Sequence, residues 1–231
     1  MHYIAKEVQL PSRGKLYQGK LGELQGKILV YPVTLRTQKS LLVDNPRDFK
    51  LSILLDSCTN LKELGFDYKD LLVADEYFLF LVIRALTFGA TVETFIQCVQ
   101  CNNLSPVSIN LDKIDVKTWD NMDITEPFTI ILDNINISMR FLKVQDQDVL
   151  LNVFLNMKTP DVGQVFDTML LSLAKRLVSV DGQPKTEQEA YEFFSNIPIP
   201  MITQIDQELE NKACGPDIMY KFNCSKCNVE N

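Results

Sequence analysis

Apolar side chains recur at helical spacing most strongly over residues 68–88, where Leu72, Phe78, Leu79, Val82, Ile83 and Leu86 form a wide apolar surface. Asp70, Asp75 and Glu76 crowd the N-terminal part, where negative charge suits the helix dipole, and Gly89 stands where the helix should stop. The pattern predicts a long helix buried on most sides. A second stripe, Val165, Phe166, Met169, Leu170, Leu173 and Leu177, predicts a helix over 163–178, with others over 146–157 and 201–210. Start signals add three more. Thr34 can cap a helix running to about residue 43. Pro46 fits the first turn of one that carries Phe49, Ile53 and Leu54 and ends near Cys58. Thr186-x-x-Glu189 is a capping box ahead of a short helix to Phe194.

Strand patterns are shorter. Residues 27–33 are β-rich, 91–96 form a β-branched run, and 105–111 alternate apolar and polar positions as a returning strand. Residues 127–144 read as a hairpin turning at Asp133-Asn134, with Ile135, Ile137, Met139 and Phe141 alternating on its second strand. Residues 218–222 read as a final strand. Glycines at 14, 19, 22 and 26 punctuate a loop-rich opening, and the run from Asn196 to Pro200 breaks the chain again. The fold class is therefore α+β. Residues 1–33 form an N-terminal extended arm with strand and loop, and residues 34–231 a mainly helical body with a central β-hairpin, a single domain overall.

Composition narrows the function. A chain of 231 residues, 46% hydrophobic, can bury a sizeable core without covalent staples. Its net charge of −7, with no basic block, argues against phosphate-backbone binding as its main task. No apolar run is long enough to span a bilayer and no signal peptide is visible, so a soluble, cytoplasmic protein is expected. Its six cysteines are then read as reduced. Cys58 is expected to be a small buried hydrophobe and Cys214, before Gly215-Pro216, a loop thiol.

The remaining four form Cys98-Val-Gln-Cys101 and Cys224-Ser-Lys-Cys227. Each CxxC can turn two thiolates toward one point, and two such turns close a tetrahedral Cys₄ site for structural zinc, one ion per chain. The pairs lie about 120 residues apart, against roughly 15–20 in a common zinc ribbon, so the site would clamp the C-terminus to the middle of the chain. Phe95 and Phe222 precede the pairs, and Asn102 and Asn228 follow them. With His2 as the only histidine, Ser-His-Asp, Cys-His and histidine-based metal catalysis are excluded. No phosphate loop or dinucleotide fingerprint occurs. Asp146 and Asp148 read as helix-start decoration. A zinc held by four cysteines has no open position for water, so the chain is not expected to be an enzyme.

The order of several segments carries a resemblance. LPSRGKLY (10–17), YPVT (31–34), LLDSC (54–58), RALTFG (84–89), the first CxxC, VDG (180–182) and the second CxxC follow one another in a way that resembles the T-even bacteriophage base-plate protein family. That family comprises baseplate hub subunits and hub assembly proteins of contractile-tailed phages. The resemblance implies a structural or assembly role at the tail hub. It implies partners among other phage tail and hub proteins, and a chain made in the host cytoplasm that can end in the virion. No small-molecule substrate is expected. Arg13, Lys15 and Tyr17, in the LPSRGKLY segment, are the candidate interface residues. Only four residues follow Cys227, so a partner or an N-terminal strand is expected to close the second knuckle. Two other readings stay open, a zinc-ribbon nucleic-acid-binding regulator and a CxxC dithiol oxidoreductase.

Overall fold

A computed structural model describes residues 5–43, 47–155 and 162–231. The chain opens with strand β1 (Lys6–Gln9), antiparallel to β2 (Lys27–Val30), so that Val8 faces Ile28 and both turn inward. Between them the LPSRGKLY segment folds back on itself and a short helix α1 (Gly19–Glu23) follows. The loop closes tightly. Gly14 has φ +69°, and a Cβ there would stand 2.6 Å from the Gly26 nitrogen, so only glycine fits. The described part of the N-terminal stretch packs into the body. Leu10 and Ser12 are fully buried, and Leu10, Tyr17, Leu21 and Ile28 belong to the same apolar cluster as the helices.

Helix α2 (Leu35–Leu41) starts at Thr34, whose hydroxyl accepts the Thr37 N–H at 3.2 Å. Helix α3 (Arg47–Cys58) ends at the buried Cys58; the start signal at Pro46 lies outside the described residues. The long helix expected over 68–88 is interrupted. Residues Tyr68–Asp70 make one 3-10 turn, Leu71 and Leu72 are extended, and α4 runs from Val73 to Phe88. The cause is tertiary. The Val73 N–H donates to the Leu142 carbonyl, and the Val144 N–H to that of Leu71, at 3.1 and 2.9 Å. Those bonds hold the two residues as strand-like backbone. Gly89, with φ +89°, ends α4.

Strands β3 (Thr91–Gln97) and β4 (Leu104–Asn110) form a hairpin in register from Thr91↔Asn110 to Gln97↔Leu104. A second sheet holds four antiparallel strands in order, β6 (Phe128–Leu132), β7 (Ile135–Met139), β8 (Leu177–Val180) and β9 (Gln183–Pro184). Asp133, at φ +50°, makes the β6–β7 turn. Helices α5 (Val144–Leu155) and α6 (Val162–Arg176) lead into β8. Leu177 was expected to continue α6 but pairs instead with Met139 of β7, where a sheet partner outweighs helical periodicity. Helix α7 (Glu187–Ser195) carries the capping box of Thr186 and Glu189, and α8 (Ile199–Lys212) follows. Strand β5 (Val116–Lys117) pairs with β10 (Gly215–Pro216).

One apolar cluster joins β1, β2, α1, α3 to α8 and β6 to β8, with Trp119, Phe194, Leu79, Ile137 and Ile205 among its buried members. The expected strand over 218–222 does not form; beyond Pro216 the backbone is irregular up to the second cysteine pair. Asp217 still donates its N–H to the Asp115 carbonyl at 2.8 Å, so the segment leaves the body beside β5.

Candidate metal centre

The β3–β4 hairpin and the C-terminal segment present two turns of the same build. In the first, the Cys98 N–H donates to the Asn103 carbonyl and the Asn102 N–H to that of Cys98, both at 2.9 Å. In the second, the Cys224 N–H donates to the Val229 carbonyl at 3.0 Å and the Asn228 N–H to that of Cys224 at 2.9 Å. Asn102 and Asn228 sit at φ +54° and +57°. Asparagine is among the few side chains that tolerate this left-handed conformation, which explains its recurrence after each pair.

The turns face each other. The Sγ atoms of Cys98, Cys101, Cys224 and Cys227 lie within 4.8 Å of one another. Across the pairs, Cys98 approaches Cys227 and Cys101 approaches Cys224, both at 3.6 Å. A tetrahedron with metal–sulfur bonds near ~2.3 Å has edges of about 3.8 Å, so the spacing suits one ion held by four sulfurs. A disulfide needs about 2.05 Å, and all four cysteines are free. Cys98 and Cys224 are buried, Cys101 and Cys227 half-buried. These residues fit a metal, and the donor set is all sulfur.

The surrounding groups favour negative charge on sulfur. The N–H groups of Cys227 and Lys226 bring the Cys224 thiol down to about 5. Those of Cys101 and Gln100 lower Cys98. Cys227 behaves in the opposite sense. The Val229 N–H pulls it down, yet desolvation and the sulfurs of Cys101, Cys224 and Cys98 push it up to about 12. Four sulfurs within 4.8 Å of one another repel as thiolates, and a bound cation would offset that charge.

Polar side chains lock the turns together. The Ser105 hydroxyl donates to the Cys224 sulfur at 3.7 Å and accepts the Ser225 N–H at 3.1 Å. Asn103 donates to the Ser225 hydroxyl at 3.1 Å, and the Val99 N–H to the Asn231 side chain at 2.9 Å. Ser105, Asn103 and Asn231 carry no spacing signal in the sequence. The second turn also closes without help. Phe222 and Asn231 exchange backbone hydrogen bonds at 3.0 and 2.9 Å, so the four residues after Cys227 complete it.

Arg13, Lys15 and Tyr17 lie elsewhere, in the loop between β1 and β2. Tyr17 is buried; its hydroxyl donates to Asp75 at 2.5 Å and accepts the Leu72 N–H at 2.9 Å. Arg13 grips Asp120 through Nε and Nη2, holding that carboxyl at about 2, and the Lys15 ammonium donates to the Met122 carbonyl. The segment's polar groups are thus spent largely within the chain. Beside the second pair, Lys221 lies 3.5 Å from Glu230, and both are exposed. Cys58 and Cys214 are buried and apart from the cluster, and burial pushes the Cys58 thiol up to about 11. Among the described residues no helix is long and apolar enough to cross a membrane.

Compared with known proteins, residues 1–231 match the family model described as T4 bacteriophage base plate protein. No curated protein and no solved structure matches the chain.

Proposed function

The chain belongs to the T4 bacteriophage base plate protein family, and from that premise we propose that it is a non-catalytic part of the central hub of a contractile-tail baseplate, or a factor that assembles it. The match over the whole chain carries this reading. The protein works by protein–protein contact, is made in the host cytoplasm, and bears one structural zinc on Cys98, Cys101, Cys224 and Cys227. The sulfur-only donor set favours zinc over harder cations, and four protein ligands leave no position for an activated water.

The hairpin offers a surface for such contact. On its outward face Phe95 pairs across the strands with Pro106, and Gln97 with Leu104. Phe95, Leu104 and Val99 at the tip are 67%, 62% and 85% exposed. Large apolar groups presented together on a rigid element are what protein partners cover. The nucleic-acid reading gains no support, since Lys221 stands beside Glu230 and the chain is acidic overall. The dithiol reading gains none either, because the short sulfur distances run between the two pairs.

The test is trans-complementation. Phage lacking this gene product should regain infectious yield from the native chain and not from a Cys98→Ser, Cys224→Ser chain, while the native protein co-sediments with baseplate intermediates and carries about one zinc. Full yield from the doubly substituted chain would remove the metal from the function. Restored yield without any association with baseplate intermediates would remove the structural role.

A further inference from the structure

Three of the chain's arginines have guanidinium partners. Arg13 grips Asp120, Arg140 grips Asp146 through two bonds of 2.7 and 2.9 Å, and Arg84 donates to the Gly89 carbonyl at 3.0 Å. Arg176, the last residue of α6, differs. Among the described residues its guanidinium has neither a hydrogen bond nor an ion pair within 4.0 Å. Desolvation brings its pKa down to about 10, opposed by the more distant charges of Asp206 and Asp146, with Arg140 adding to the lowering. A desolvated cation with no hydrogen-bond or ion-pair partner among the described residues is costly, and proteins tend to retain one only where something completes it.

Arg176 borders a cavity of about 210 Å³. Leu72 and Val73 at the start of α4, Phe141, Trp119, Pro216 and Ile218 form most of its wall, and Arg176 is the only charged residue among the described ones that line it. The other polar group of size, the Tyr77 hydroxyl, already accepts from Gln147 at 2.7 Å. A phosphate chain would find one cation and apolar walls, which is poor chemistry for it. A carboxylate on a short apolar stem meets both requirements, because guanidinium and carboxylate form paired, charge-assisted hydrogen bonds while the stem lies on the apolar wall. The volume suits a single side chain.

We propose that this cavity is a docking socket for an acidic side chain, flanked by apolar residues, on a partner protein, with Arg176 as its ion-pair partner. The choice of a protein as the source rests on the contact function proposed above; the chemistry of the socket does not. Trp119, the chain's single tryptophan, forms part of the wall, so its fluorescence reports on occupancy.

The experiment is a titration of the native chain with the capped tripeptide Leu-Glu-Leu and its Leu-Gln-Leu analogue. The glutamate peptide should change Trp119 fluorescence saturably, with a dissociation constant on the order of 1 mM, and the glutamine peptide should bind about tenfold more weakly. Arg176→Met should erase that preference while the melting temperature holds or rises, and Arg176→Lys should keep part of it. Asp206→Asn, which removes an opposing carboxylate, should tighten glutamate binding. Equal response to the two peptides, no response to either, or a preference that survives Arg176→Met would overturn the socket. The titration needs no metal and no other baseplate protein. Its failure therefore leaves the hub reading standing, and failed complementation leaves the socket standing.

Discussion

The body and the cysteine-tipped hairpin are stabilised by different physics. In the body, apolar residues from β1 to Cys214 join one continuous cluster, and Leu10, Leu55, Leu79, Trp119 and Ile137 are completely removed from water. In the β3–β4 hairpin and residues 217–231, the buried residues are Cys98, Ser105, Val107 and Cys224, none of which belongs to that cluster. Two sulfurs, a hydroxyl and one valine cannot repay the entropy of ordering two strands and an irregular tail. The zinc proposed at the four sulfurs would, since binding free energies of structural zinc sites reach about 10–16 kcal/mol in small peptides. The comparison teaches that one chain can hold a self-sufficient core and, beside it, a region that burial alone does not account for.

Removing the ion should therefore produce the largest effect and confine it to one region. Chelation, or Cys224→Ser, is expected to abolish metal binding and to release residues 217–231 from the hairpin, while the body keeps its cooperative unfolding. Amide hydrogen exchange before and after chelation checks this. Loss of protection in β6, β7 and α4 together with the hairpin would show one folding unit and break the distinction. The reverse experiment is Leu79→Ala, which opens a cavity beneath α4, where Leu79 is fully buried. It should cost the body about 2–5 kcal/mol in denaturant melts while metal stoichiometry stays at its native value.

A smaller effect concerns a polar contact inside the body. Tyr17→Phe keeps the ring but deprives the buried Asp75 carboxyl of a donor and the Leu72 N–H of an acceptor. The expected loss is about 1–3 kcal/mol, the penalty for polar groups left unmatched in the interior. Asp75 also receives the Ser12 N–H at 3.0 Å, and burial raises its pKa. A raised carboxyl favours the fold most when protonated, so its contribution weakens as pH climbs through its folded value. Stability of Asp75→Asn should then be flatter with pH than that of the native chain, as equilibrium melts across the acid range would read out.

What could be seen in advance follows the reach of each interaction. Thr34, Gly89, the Asp133 turn and the Thr186–Glu189 box act over a few residues, and each stands where the sequence puts it. The break at Leu71 and Leu72, the departure of Leu177 into β8 and the irregular 218–222 stretch depend on partners far along the chain. No window of periodicity contains them. The thiol cluster was legible despite its separation because few residue types bind metal in CxxC pairs. Ser105, Asn103 and Asn231 were not, since serine and asparagine act in too many settings to signal one. Tyr17 misled for a related reason: a tyrosine in a loop-like segment looks available for contacts, and only the fold reveals Asp75 beneath it.

The finest test compares the two knuckles. Asn102 and Asn228 hold nearly the same left-handed backbone, at φ +54° and +57°, and each follows a CxxC pair. Replacement by valine should cost about 1–2 kcal/mol at either site, whereas glycine, which adopts the conformation freely, should cost little. The expense should appear as weaker metal affinity, measured by competition with a chelator, because the body does not sense either turn. If the turns are mechanically equivalent, the two valine variants will lose affinity alike. A larger loss at Asn228 would mean that the tail is the more compliant partner. It has no paired strands of its own length behind it and closes through the reciprocal bonds of Phe222 and Asn231, whereas Asn102 sits on a seven-pair hairpin that resists distortion.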